Sequence, residues 1–183
     1  MNARSRRADV IDRLNALPVT AVPAPGVLAF HATPHNDLTY LLHSVGKGNG
    51  DKGNGDNGDG DEGHVRPATD REIAERLGDA AVGWNLLLFG HTHIAQEAQL
   101  PSGTLVVNPG SVGMPAYDDD APFPHVMEAG TPHARYAIVE QVAGQWQAEF
   151  RAVEYDWDAA ARLAETNHRP DIAFALRTGT VRR

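Results

Sequence analysis

Three histidines stand where a chain can put imidazole to chemical use. His91 and His93 lie two residues apart in Phe89-Gly90-His91-Thr92-His93, directly after the apolar run Trp84 to Phe89. His31 follows a second apolar run, Val27 to Phe30. Residues two apart in an extended chain point to the same side, so His91 and His93 can face one site. Gly90 lets the backbone turn tightly there, and the ends of buried strands are where open α/β sheets place ligands. Neutral imidazole suits zinc, iron or copper, and added carboxylates make manganese acceptable. The same residue types also serve as hydrogen-bonded loop histidines, a reading that spacing alone leaves open. His35, His125 and His133 fall in loops and read as surface residues. Asp118-Asp119-Asp120 reads as a solvated loop rather than a metal site.

The elements that must position these side chains are visible in the pattern. Val10, Ile11, Leu14 and Leu17 share one helical face that ends at Pro18. Val27 to Phe30 reads as a buried strand, with a brief helix expected from Asp37 to about Leu42. Residues 46–63 are Gly/Asn/Asp-rich with nothing apolar to bury, and are expected to form a mobile loop. Thr69-Asp70-Arg71-Glu72 has capping-box spacing, with Ile73, Ala74 and Leu77 as the buried face and Gly78 as the stop. Trp84 to Phe89 is a continuous apolar run read as a strand buried on both faces, and Thr104 to Val107 is another short strand, ending at the turn signal Asn108-Pro109-Gly110-Ser111. Tyr117 to Thr131 is rich in Pro and Asp and is expected to be a loop. Arg135 to Glu140 and the alternating segment around Trp146, Ala148, Phe150 and Ala152 form a hairpin, with Trp146 and Phe150 read as core. Two helices follow, about Trp157 to Glu165 and Pro170 to Arg177, with Pro170 in a first turn and Gly179 just past the end.

The totals limit the function. With 183 residues the chain suffices for a single domain, 1–183, with a real core. A net charge of −8 excludes a general binder of nucleic acid or anionic membrane. There is no cysteine, so thiolate metal sites and disulfides are excluded, and a reducing cytoplasmic setting is expected. No apolar run approaches membrane-spanning length, and the basic start, Met1 to Arg7, is not followed by a hydrophobic signal region.

Gly90-His91-Thr92-His93 paired with Val107-Asn108-Pro109-Gly110-Ser111-Val112-Gly113 resembles the calcineurin-like metallophosphoesterases, in their small bacterial phosphodiesterase branch. The resemblance extends upstream to Leu28-Ala29-Phe30-His31-Ala32-Thr33-Pro34 and downstream through Pro115-Ala116-Tyr117 to Tyr155-Asp156-Trp157. Ala32 stands where the family commonly has Gly. The resemblance implies an α/β fold, part of a sandwich of mixed β-sheets flanked by helices. It implies metal-dependent hydrolysis of a phosphoester substrate, of phosphodiesterase or phosphatase type, at a site of two divalent ions (Mn, Fe or Zn). His31 and His91 would bind one ion and His93 the other, with Asn108, Gly110 and Ser111 shaping the pocket. Three further family motifs, Asp-x-His, Gly-Asp and Gly-Asn followed by His or Asp, have no counterpart ahead of His31. The expectation is therefore an N-terminally truncated domain carrying the C-terminal ligands. The alternative is an inactive remnant or subunit that binds at most one metal or a partner, either a complementing chain or a second copy.

Overall fold

A computed structural model describes residues 10–47 and 63–182. Helix α1 covers residues 10–15, and strands β1 (Thr20–Ala24) and β2 (Val27–Phe30) follow as an antiparallel pair. Next come β3 (His43–Lys47), β4 (Gly63–Pro67) and α2 (Asp70–Leu77), then β5 (Leu86–Leu88), β6 (Gln96–Gln99) and β7 (Leu105–Asn108). The hairpins β8 (Ala116–Asp119) with β9 (His125–Glu128) and β10 (Ala134–Val142) with β11 (Gln145–Val153) precede the helices α3 (Trp157–Thr166) and α4 (Pro170–Thr178).

The main sheet has the order β1-β2-β5-β7-β6, and its three central strands are parallel. Their register places Leu28, Leu87 and Val106 in one row and Val27, Leu86 and Leu105 in the neighbouring one. Successive side chains leave a strand on opposite faces, so each face needs a cover. The Leu28, Leu87, Val106 face packs with Leu41, Leu42, Ile73 and Leu77, supplied by the 41–42 segment and α2. The Val27, Leu86, Leu105 face meets Ala137, Val139, Trp146 and Ala148 of the β10–β11 hairpin. Covering both faces is why these strands read as unbroken apolar runs. Truncating the fully buried Leu87 to Ala would cost about 2–5 kcal/mol.

The local signals were formed as expected where they were self-contained. Thr69 and Glu72 make both bonds of the capping box at the start of α2, and Ile73 and Leu77 are buried, while Ala74 is exposed. Gly179 closes α4 in the left-handed conformation, at φ 73°. Ala143 and Gly144 both take positive φ in the two-residue link of β10 and β11, as a twisted hairpin turn requires.

Other expectations are corrected. Residues 37–42 are not helical: the Asn36 side chain accepts from Leu38 N and Thr39 N at 2.7 and 3.0 Å, giving the backbone a turn in place of a helix. The Tyr117 to Thr131 stretch is not a loop but contains most of the β8–β9 hairpin, which buries Ala116, His125 and Met127. Residues 46–47 and 63 belong to the β3–β4 ladder, while 48–62 lie outside the described residues. Trp146 packs on the sheet, but Phe150 stays 36% exposed. Among the described residues the apolar face of α1 is uncovered, with Leu14 60% exposed, and so is Leu17 just past its end, at 67%. Among the described residues no helix is long and apolar enough to cross a membrane.

Candidate functional site

The C-terminal ends of β2 and β5 stay paired beyond their ladder. Gly90 N donates to His31 O at 2.8 Å, which places the His31 side chain beside the loop that begins at Gly90. His31 Nε2 lies 3.1 Å from His91 Nδ1, with ring centroids 4.8 Å apart. His91 Nε2 lies 3.3 Å from Leu38 O, and a carbonyl only accepts, so that nitrogen carries the proton and Nδ1 keeps its lone pair. His93 is fixed in the opposite tautomer: its Nδ1 donates to Met114 O at 2.9 Å, leaving Nε2 with the lone pair. A ring nitrogen that donates to a backbone carbonyl while the other remains free is the arrangement found behind metal-ligating histidines.

The separation in the pair also fits a shared ion. Two imidazole nitrogens each about 2.0–2.1 Å from one divalent cation lie about 2.9–3.4 Å apart for bond angles between octahedral and tetrahedral. The observed 3.1 Å falls in that interval. Burial, and after it the neighbouring His31, hold His91 below the ordinary imidazole value. Burial does the same for His93, against the raising effect of the bond to Met114 O. Both are thus neutral near pH 7, the form that binds metal. Among the described residues no group of three or more His, Asp or Glu side chains converges as a complete shell. The donors present fit a divalent ion as a pair, with His93 apart from them.

The reason both imidazoles of the motif are presented differs from simple strand alternation. His91 and His93 both take left-handed backbone conformations, at φ 66° and 60°. Between them Thr92 is fully buried. Asn108, also with no exposed surface, donates through Nδ2 to Gly90 O at 2.7 Å and Thr92 Oγ1 at 2.9 Å, and accepts from Gly110 N at 3.0 Å. Gly110 sits at φ 87°, and a Cβ there would come 2.9 Å from Arg135 Cβ. Ser111 Oγ accepts from Met114 N at 3.0 Å, fixing the residue whose carbonyl receives His93. The turn after β7 therefore supports the histidine loop through its side chains.

The sequence reading did not place three contributors at the site. Tyr40 and Tyr117 pack against His91 and His93, with ring centroids 5.1 and 5.2 Å apart. Burial raises both phenols, so each keeps its hydrogen near neutral pH. His125, expected on the surface, is only 7% exposed and meets Tyr40. Nothing in their spacing marks these residues, because three separate segments bring them together. His35 is exposed, and His133 lies beside Trp157; the structure joins neither to the pair. A cleft of about 380 Å³ adjoins the pair through Leu38 and Tyr40, with Arg66 and Arg76 in its wall.

Parallel strands that deliver imidazoles at their C-terminal ends, backed by a polar turn, form the centre of this mixed α/β fold. A family model, the calcineurin-like phosphoesterase superfamily domain, matches residues 40–128 and so includes His91, His93 and Asn108. This matched segment is just under half of the chain. The fold is similar to that of a metallophosphoesterase from Sphaerobacter thermophilus, with 18% identity over 94% of this chain and 63% of that one, at a TM-score of 0.60. It is also similar to a hypothetical protein from Pyrococcus horikoshii OT3, with 17% identity over 92% of this chain and 53% of that one, at a TM-score of 0.57. The chain thus spans between about half and two thirds of the length of these two solved structures. No curated protein matches it in sequence.

Proposed function

We propose that the chain provides the C-terminal ligands of a centre for metal-dependent phosphoester hydrolysis, of phosphodiesterase or phosphatase type. His31 and His91 hold one divalent ion and His93 a second, with Mn, Fe or Zn as the candidates. The observation that carries this reading is the 3.1 Å His31–His91 pair, whose separation suits one shared cation. When bound, such a cation supplies the Lewis acidity that attack by water on a phosphoester draws on. The chain's own residues do the rest: Leu38 O and Met114 O fix the ring tautomers, and Asn108 fixes the loop. The cysteine-free sequence is compatible with work in a reducing cytoplasm.

A second reading has its own support. Among the described residues the apolar side chains of α1 are exposed. A subunit that binds at most one ion, or that is covered by a complementing chain or a second copy, accounts for that surface.

Titration calorimetry with Mn²⁺ and Zn²⁺ on the wild type and His91→Ala tests the first reading. Uptake is expected in the wild type, with affinity reduced about 100-fold or more in the variant. Equal uptake by the two proteins would refute the ligand assignment. Turnover of a simple aryl phosphodiester then separates the readings: hydrolysis lost in His91→Ala supports the enzyme, and a single bound ion without hydrolysis supports the subunit.

A further inference from the structure

A line of hydrogen bonds runs from the β8–β9 hairpin to the histidine loop, and its direction is fixed by its far end. His125 Nδ1 lies 2.7 Å from Phe123 O. The carbonyl only accepts, so Nδ1 carries the proton, and a neutral ring of that tautomer has a lone pair on Nε2. Tyr40 Oη, 3.0 Å from that nitrogen, therefore donates to it. Tyr40 has then used its one hydrogen, so Tyr117 Oη, at 3.0 Å, donates to the Tyr40 oxygen. His91 O, 3.3 Å from Tyr117 Oη, is a longer second contact for the same hydroxyl.

The two tyrosines so joined are the ones whose rings rest on the motif histidines, Tyr40 at 58° to His91 and Tyr117 at 71° to His93. Tyr40 also meets the His125 ring, with centroids 5.5 Å apart. Tyr40 and His125 are both more than nine-tenths buried. Displacing the Tyr40 hydroxyl would break a directed bond in a place where water offers no replacement. A phenol held at its hydroxyl fixes the surface on which the neighbouring imidazole rests. We infer that Tyr40 and Tyr117, aligned by His125, are positioning residues that set the orientations of the His91 and His93 imidazoles. The inference rests on the reading of those histidines as metal ligands, and it adds a support that comes from outside both sequence motifs.

Tyr117→Phe and Tyr40→Phe keep the ring contacts and remove only the directed bonds. Tyr117→Phe is the milder of the two, since it deletes the donor at the end of the line and leaves Tyr40 bonded to His125. The exposed Tyr136 of β10 gives the control, Tyr136→Phe. Two readouts are taken on each full chain: Co²⁺ titration followed by its visible absorption, and ring-nitrogen NMR of the histidines without metal. In Tyr117→Phe and Tyr40→Phe, Co²⁺ affinity is expected to fall about 10-fold or more with an altered absorption band. The His91 and His93 ring signals are expected to shift, with unfolding temperature close to wild type in Tyr117→Phe, while Tyr136→Phe changes nothing. Unchanged Co²⁺ affinity together with unmoved ring signals in Tyr117→Phe overturns the inference. If wild type and His91→Ala take up Co²⁺ alike, the ligand reading fails, and the ring spectra decide alone: shifted signals sustain the positioning role and unmoved ones end it.

Discussion

Asn108 makes three hydrogen bonds with no exposed surface, and two of them leave its amide nitrogen for Gly90 O and Thr92 Oγ1. Replacing it with Ala strands both acceptors away from water and removes the brace under the His91–His93 loop. Urea unfolding of Asn108→Ala is expected to show a loss of about 2–4 kcal/mol, the range for a broken buried polar network. A change below about 0.5 kcal/mol, ordinary for a surface position, would contradict the role assigned to it. The position of Asn108 in a turn was legible, because Asn-Pro-Gly is a local signal. Its use as an inward clamp was not, because that depends on a loop 16 to 18 residues earlier in the chain. The histidines show the same limit: their types and places were readable, but the left-handed backbone that presents them was not. Tyr40, Tyr117 and His125 were invisible at this scale, since each is an ordinary residue until the fold assembles them.

Helix α2 was legible because its signals are contained in four consecutive residues, and the same residues give it a pH response. The Glu72 carboxylate accepts from Arg66 at 2.7 and 2.8 Å, from Thr69 N at 2.8 Å and from Ser44 Oγ at 2.9 Å. Arg66 first, and Thr69 N after it, hold the carboxyl well below the usual carboxylate range. In the unfolded chain Glu72 has an ordinary value, so as pH falls the unfolded state takes the proton first and gains. The stabilisation is fully present above about pH 4.5 and is lost as pH drops from there toward the folded value. Melting temperatures of wild type and Glu72→Gln should differ by a constant amount between pH 6 and 8, with the gap closing below about pH 4.5. A gap independent of pH down to 3 would show that the carboxylate charge is not involved. The β3–β4 and β8–β9 pairs were hidden at the element scale. Each is a two-stranded ladder of mixed polar and apolar residues, with neither a continuous run nor clean alternation to announce it.

At the scale of the molecule, the apolar runs identified the buried strands at the centre of the sheet, because burial on both faces writes itself into composition; their parallel direction came only with the structure. Periodicity also identified α1 as amphipathic, but a period cannot say what covers a face. Val10, Ile11, Leu14 and Leu17 are each about half exposed or more, together with Val19 and Val22 on the adjoining segment. An aliphatic surface of this extent is the kind that interaction sites use. If the reading as a covered subunit holds, Leu14→Asp should leave the melting temperature within a few degrees of wild type. Sedimentation should then show the variant lighter than the wild type at micromolar concentration. Identical sedimentation, both monomeric, would remove a second copy of the chain as the covering partner. One further property follows from the order of strands in the main sheet. The β10–β11 hairpin and the α3–α4 pair join neighbours in sequence, whereas His31 and His91 are 60 residues apart and meet only when β2 and β5 align. Loop closure over such distances is slow beside hairpin and helix formation. The imidazole pair is thus among the last features to appear as the chain folds, and its assembly time is that of the parallel core itself.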